Sequence, residues 1–441
     1  MNTGDTAWML TSTALVMFML PGLALFYGGM VRAKNVLGTL MHSVFMLGIV
    51  SVLWVLVGYS LAFGKDAFGG LVGGLEFLGF RHVDGNGVYP YLPQTVPHLA
   101  FAAFQLMFAA ITPALISGAF AERIKFSGYV LFSSLWLLLV YAPVAHWVWQ
   151  PDGWAFKLGA LDFAGGTVVH INSGVAALAI ALVIGRRRGF GKEAIIPHNL
   201  TLTVLGAGIL WFGWFGFNAG SAIAANGLAA SAFVATNVAA ATGAIGWALV
   251  DAMKQRKATS LGIASGAVAG LVAITPCAGF VGPLDSIAIG LIAGVVCAVA
   301  VNLKFRFGYD DSLDVVGVHM VGGMVGAMLV GVFAQKIINS AGADGLLAGG
   351  GLTLLGKQAL AVLGTLAYSG IASFLLAKLV HATVGLRVSS EEEEVGLDLS
   401  QHAEVGYSLT EGGSAGAAHG IPAHSPAPAA TATAVVRGGQ A

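Results

Sequence analysis

Asp162-Phe163-Ala164-Gly165-Gly166-Thr167-Val168-Val169-His170-Ile171-Asn172 opens an apolar run that ends only at Arg186-Arg187-Arg188. The run is long enough to cross a bilayer, which takes about 20 mostly apolar residues. Yet it has an acid at its entrance and a histidine two turns further in. Ionisable groups at membrane depth are costly and mark function by default. A related segment, Leu313-Asp314-Val315-Val316-Gly317-Val318-His319-Met320-Val321-Gly322-Gly323, repeats the pattern 149 residues later, counted from His170 to His319.

The rest of the chain frames these two segments. Of its 441 residues 57% are hydrophobic and 10% charged, with mean hydropathy +0.82; a soluble domain carries roughly 25% charged residues. The apolar excess covers nearly the whole length, so many membrane-spanning helices are expected. The 63 glycines show no collagen period and suit close approach of helix backbones. A net charge of zero argues against a nucleic-acid partner. Cys277 and Cys297 sit in apolar runs and suggest neither a disulfide framework nor a metal motif. Asp5, with no Lys or Arg before the first apolar run, points to an uncleaved first span.

Hydropathy predicts eleven spans: about 7–31, 44–63, 98–120, 127–146, 162–185, 198–220, 231–253, 261–277, 284–301, 313–333 and 352–384. Basic residues follow the first, third, fifth, seventh and ninth, which by the positive-inside rule puts the N-terminus outside and the C-terminus inside. The fold class expected is therefore an all-α integral membrane protein. An odd-numbered unit reverses orientation when it repeats. The Asp…His segments of the fifth and tenth spans thus suggest a five-plus-five inverted repeat with an extra last helix, its substrate site at the repeat interface. Residues 1–388 form the membrane domain on this reading, 389–410 a cytoplasmic tail, and 411–441 an Ala/Gly/Pro/Ser/Thr segment expected to be disordered.

His170 and His319 are the candidates for a shared polar path; no third ligand falls at metal spacing. Asp162 reads either as a helix cap or as negative field near an arriving cation, and Asp314, beside Asp310 and Asp311, either as a cap or as a cation attractor. Phe104 and Phe108, four apart, share a helix face. Trp149 fits an interfacial belt or a cation site, and Trp214 and Phe217 lead to Ser221. Aromatic faces attract a small cation, and a hydroxyl supplies an acceptor beside them. The spans lack interior basic residues near these motifs, which disfavours an anion site. No Gly-x-x-x-x-Gly-Lys-Ser/Thr loop suggests an ATP-driven pump, and no nucleophile–base pattern suggests an enzyme, so no cofactor is expected.

Pro21 to Gly29, Gly118-Ala119-Phe120-Ala121-Glu122-Arg123, Leu161 to Asn172, Gly213 to Ser221, Thr275-Pro276-Cys277 and Asp314 to His319 together resemble the ammonium transporter (Amt/Mep/Rh) superfamily, on its bacterial Amt side. The resemblance runs from near residue 7 to Tyr407. It implies a homotrimer of eleven-span subunits in the cell membrane, each with its own pore for ammonium or ammonia. Carried over by position, Phe108, Trp149 and Ser221, with Phe104 near, look like an outer recruiting site that Asp162 supports. Phe108 and Phe217 look like the stacked pair closing the entrance, and His170 and His319 like twin histidines inside. Trp214, Ser265 and Thr275 would line or neighbour the path. Residues 384–388 and 391–407 look like a regulatory tail on which a PII-type signalling protein docks; a merely solvated acidic tail is the alternative. The resemblance favours net electrogenic uptake, with the proton's route left open. A membrane ammonium sensor with little transport is the rival function.

Overall fold

In hydrocarbon a backbone must satisfy its own N–H and C=O groups, which leaves the helix as the economical choice for apolar runs. The computed structural model describes residues 1–407 and, among them, has no β-strand, only isolated bridges at Asp66–Gly73 and Ile124–Arg387. Among the described residues ten helices are long and apolar enough to cross a membrane. They are α1 (Thr3–Met30), α2 (Ala33–Phe63), α3 (His98–Phe120), α4 (Phe126–Leu158), α5 (Gly166–Ile184), α6 (Leu200–Gly220), α7 (Gly227–Gln255), α9 (Pro283–Phe307), α10 (Val316–Phe333) and α11 (Thr353–Thr383). Between α7 and α9 lies the shorter apolar helix α8 (Ser260–Ile274). The segment 411–441 expected to be disordered, with 408–410, lies outside the described residues.

These helices are apolar on all sides, so burial alone does not sort their residues. Leu10, Val52, Phe212, Leu249, Leu363 and Leu379 stay exposed along the flanks, where lipid tails replace water at no hydrophobic cost. Close packing inside comes from small residues. At Gly206 of α6, a Cβ would stand 2.3 Å from the backbone nitrogen of Phe26 on α1, so those backbones touch directly.

One face of the molecule is tied together by ions. The Glu122 carboxylate, after α3, accepts from Arg32 Nε at 3.0 Å and Arg187 Nη1 at 2.9 Å. Arg187, after α5, also holds Asp310 at 2.9 Å, before α10. Burial would raise the Glu122 carboxyl, but Arg187 and Arg32 outweigh it and hold it below its ordinary value. Asp310 is held low in the same way by Arg187 and Arg123. Lys304, near the end of α9, pairs with Asp314 at 2.6 Å. Thus α1, α3, α5 and α9 all end on this face. Helix α8 begins beside the end of α7, where Thr259 Oγ1 donates to Asp251. It ends toward the opposite face, where Pro276 O accepts from Phe163 N at 3.2 Å.

The tail folds back on the charged face. Lys125 N donates to Leu386 O at 2.8 Å and Val388 N to Arg123 O at 3.1 Å. Two short helices follow, α12 (Ser390–Val395) and α13 (Leu397–His402). Asp398 accepts from Leu37 N and Gly38 N at the start of α2, and Glu393, only 1% exposed, accepts from Arg187's neighbour Arg188 and from Arg387. Glu391 and Glu394 stay exposed, so only part of the acidic run is solvated.

Candidate functional site

The two histidines meet. His170 Nδ1 and His319 Nδ1 lie 3.2 Å apart, with ring planes 20° from parallel. A contact between two like nitrogens needs one to donate and the other to accept, so the rings hold complementary tautomers across it. Each histidine sits in a π-helical turn, Gly166–Ile171 and Val316–Met320. Such turns are rare and gather at functional sites. His170 Nε2 is buried without a hydrogen-bond partner among the described residues.

The acids that start these turns are not the pair the sequence suggested. Asp162 accepts from the amides of Gly165, Gly166 and Thr167 at 2.7 Å and of Val168 at 3.3 Å. Its carboxylate thus spans the free amides of the helix start, with Gly165 at φ +114° allowing the chain to enter. In the second segment this is done by Asp311, which accepts from Val315 N at 3.1 Å and Val316 N at 2.7 Å. Asp314 turns away at φ +65° to pair with Lys304. The expectation that Asp314 mirrors Asp162 is therefore corrected to Asp311. The sequence carries the signal, since Asp162 and Asp311 each precede their histidine by eight residues. Asp314, by contrast, precedes His319 by only five residues.

On the side of the molecule away from the Glu122–Arg187–Asp310 cluster, Phe104, Phe108, Trp149, Asp162 and Ser221 line one cavity of about 330 Å³. Phe108 stands edge-on to Trp149 at 5.7 Å and to Phe104 at 4.9 Å. Trp149 Nε1 donates to the Asp162 carbonyl at 3.1 Å, which fixes the indole. Ser221 Oγ donates to Phe217 O at 2.9 Å, leaving its lone pairs as acceptors. Gln105, which sequence reading passed over, lines the same cavity; its neighbours at 104 and 108 were the only clue.

The rings of Phe108 and Phe217, 4.3 Å apart, close the floor of this cavity. Beyond them is a narrow chamber of about 10 Å³, lined by His170, His319, Trp214 and Phe217 among apolar residues such as Met19, Leu23, Ile111 and Val268. That is room for roughly one water-sized molecule at a time. Helices α1, α3, α5, α6, α8 and α10 all contribute. Trp214 stacks on His170 at 5.4 Å, and its Nε1 donates to Thr275 Oγ1 at 2.9 Å. Thr275 thus holds the indole from behind. Ser265, a turn before Val268 on α8, lines neither cavity.

The chain as a whole matches known proteins. A family model described as Ammonium Transporter Family covers residues 7–407. The ammonium transporter of Bacillus subtilis is 52% identical, across 92% of this chain and 99% of its own. The crystal structure of Saccharomyces cerevisiae Mep2 superposes with a TM-score of 0.83 at 37% identity, covering 88% of this chain and 91% of that one. A solved structure named Sensor Amt Protein gives 0.82 at 30% identity, covering 90% and 98%. Fold, flanking match and the buried histidine pair agree: this chain belongs to the ammonium transporter family, as a multi-pass protein of the cell membrane.

Proposed function

We propose that the chain recruits ammonium at the Phe104–Phe108–Trp149–Ser221 site, strips a proton from it, and conducts ammonia past Phe108 and Phe217 to the His170–His319 pair. The observation that carries this reading is the unbroken order of a roomy aromatic cavity, a ring pair and a narrow chamber holding two histidines. Ammonium and potassium differ little in charge or size, so charge cannot separate them. A chamber too narrow and apolar for a hydrated ion favours the species that can shed its charge, and only ammonium has a proton to lose. Neutral ammonia hydrogen-bonds to imidazole nitrogens. Asp162 acts mainly by capping α5 and setting the Trp149 carbonyl partner, while its charge adds negative field below the cavity. Trp214 and Thr275 shape the chamber wall. The released proton also crosses to the inside on this reading, so that uptake is net electrogenic.

The charged face is assigned to the cytoplasm by its arginines and lysines. That makes α8 an eleventh span, since Leu261 at its start lines a cavity with Arg187, Lys304 and Asp314, Thr259 joins that start to Asp251 at the end of α7, and α9 ends on the same face. The N-terminus is then outside and the C-terminus inside. Five helices repeat inverted as the next five, and α11 is the addition; the equal Asp-to-His offsets support this. The subunit works as a homotrimer in the bilayer. Residues 389–410 are a regulatory segment for a PII-type signalling protein. Seating of α12 and α13 against α2 gives such a partner a formed surface.

Uptake of labelled methylammonium into cells lacking their own ammonium transporters tests the reading. Uptake above background is expected; none, with the protein present in the membrane, would overturn it. The sensor alternative rests on the resemblance to the Sensor Amt Protein, and it predicts that same failure.

A further inference from the structure

Above the fourth helix lies a titratable pair outside the site residues already assigned. His146, one turn before Trp149 on α4, is fully buried. Its Nδ1 lies 3.0 Å from the Ala62 carbonyl at the end of α2, and its Nε2 lies 3.2 Å from Asp66 Oδ1 in the loop that follows. A carbonyl can only accept, so Nδ1 must carry a proton. The Nε2–Asp66 contact then needs a second proton, on the nitrogen or on the carboxyl, for it to be attractive. Asp66 is held in turn by Gly70 N at 2.7 Å. Two further bonds run the same way: Trp147 Nε1 donates to Leu71 O at 2.8 Å, and Trp154 N to Gly70 O at 3.2 Å. Nearby, Asp152 is partly exposed and pairs with Lys157 at 3.2 Å, and Lys65, the chain neighbour of Asp66, is exposed.

We infer that His146 and Asp66 are a positioning pair for Trp149: a proton-bridged brace that fixes the outer turn of α4 against α2, so that the indole faces the outer cavity at the geometry a cation needs. The pair is neutral as a unit whichever partner carries the bridging proton, so it adds no net charge beside the cation site. The indole is fixed at both ends, through Nε1 to the Asp162 carbonyl and through the backbone to this brace. Loosening the brace lets the ring drift while the chamber below is untouched. The inference rests on the assignment of Trp149 to the recruiting site.

The test is methylammonium uptake by the full-length protein in cells, with folding checked by the melting temperature of each purified variant. His146→Gln and Asp66→Ala are expected to raise the apparent KM on the order of tenfold with maximal rate kept within about twofold, since small misplacement of a contacting group weakens binding steeply. Asp66→Asn, which still offers Nε2 a hydrogen-bond partner, is expected to recover most of the affinity. In a Trp149→Leu background, His146→Gln is expected to add nothing further, which a merely structural role would not produce. An unchanged KM in Asp66→Ala, or an additive double variant, overturns the inference. If Trp149→Leu itself leaves KM unchanged, the recruiting-site assignment fails instead.

Discussion

The head-to-head contact of His170 and His319 couples the two rings, because the tautomer of one sets the tautomer of the other. Replacing either by Ala removes both the shared proton and an imidazole partner for ammonia. We expect His170→Ala and His319→Ala each to change conductance or the selectivity for ammonium over potassium, measured as substrate-induced current; unchanged transport in both would refute the pore assignment. The capping acids give a second expectation at this scale. Asp162→Ala and Asp311→Ala each strip a carboxylate from the amides of a helix start, and each should cost about 2 kcal/mol, at the upper end for a cap. Asp314→Ala removes a carboxylate that is itself about one-third exposed, and the buried Lys304 ammonium keeps the Asp311 carbonyl at 2.9 Å, so it should cost less. Melting temperatures of the three purified variants order them; Asp314→Ala as the worst would contradict the geometry.

At the scale of elements, the spans were legible in composition, since long apolar runs closed by basic residues have few other solutions in a membrane. What sequence reading misplaced was local. It began the fifth span at Asp162, whereas helical geometry starts at Gly166, because Asp162 serves as the cap outside the turn. It paired Asp314 with Asp162 because both were read as the nearest acid, and nothing in a hydropathy pattern tells a capping carboxylate from one that turns away to a lysine. It also ended the fourth span at 146, short of Trp149, whereas regular helix runs on through Trp149. The π-helical turns left no trace in periodicity at all. Helix contact is the property most open to test here. Gly206→Leu forces a side chain into the Phe26 backbone and should cost about 3 kcal/mol or prevent assembly. At Gly208, two residues on, a Cβ would have nothing within 4 Å, so Gly208→Leu should be tolerated; equal loss in both would show that propensity and not contact decides.

Across the whole molecule, the ions of the charged face do what no apolar surface does in lipid: they hold separate helix ends in register. Sequence reading saw the arginines as a topology signal and did not foresee that Glu122 would gather Arg32 and Arg187 into one buried cluster, since its partners lie 90 and 65 residues away. Removing one member leaves others uncompensated. Glu122→Gln should therefore destabilise by about 3 kcal/mol, seen as a lower melting temperature in detergent. Glu122 and Asp310 are both held below their ordinary values of 4.5 and 3.8. Their contribution to stability is thus fully present above those values and is lost as pH falls through the lowered ones. The melting temperature of the unaltered protein should drop as pH falls below about 4, and in Glu122→Gln that acid-side drop should shrink. An equal drop in both proteins would assign the titration to other groups.

The contact between two Nδ1 atoms has one more consequence. A proton that enters at one Nε2 and leaves at the other swaps the donor and acceptor across the contact, so the pair ends each passage with its polarity reversed. Such a relay cannot fire twice in the same direction: it is refractory until both rings exchange tautomers again. Any charge moved along this line is therefore metered, one proton per reset, by a contact 3.2 Å long.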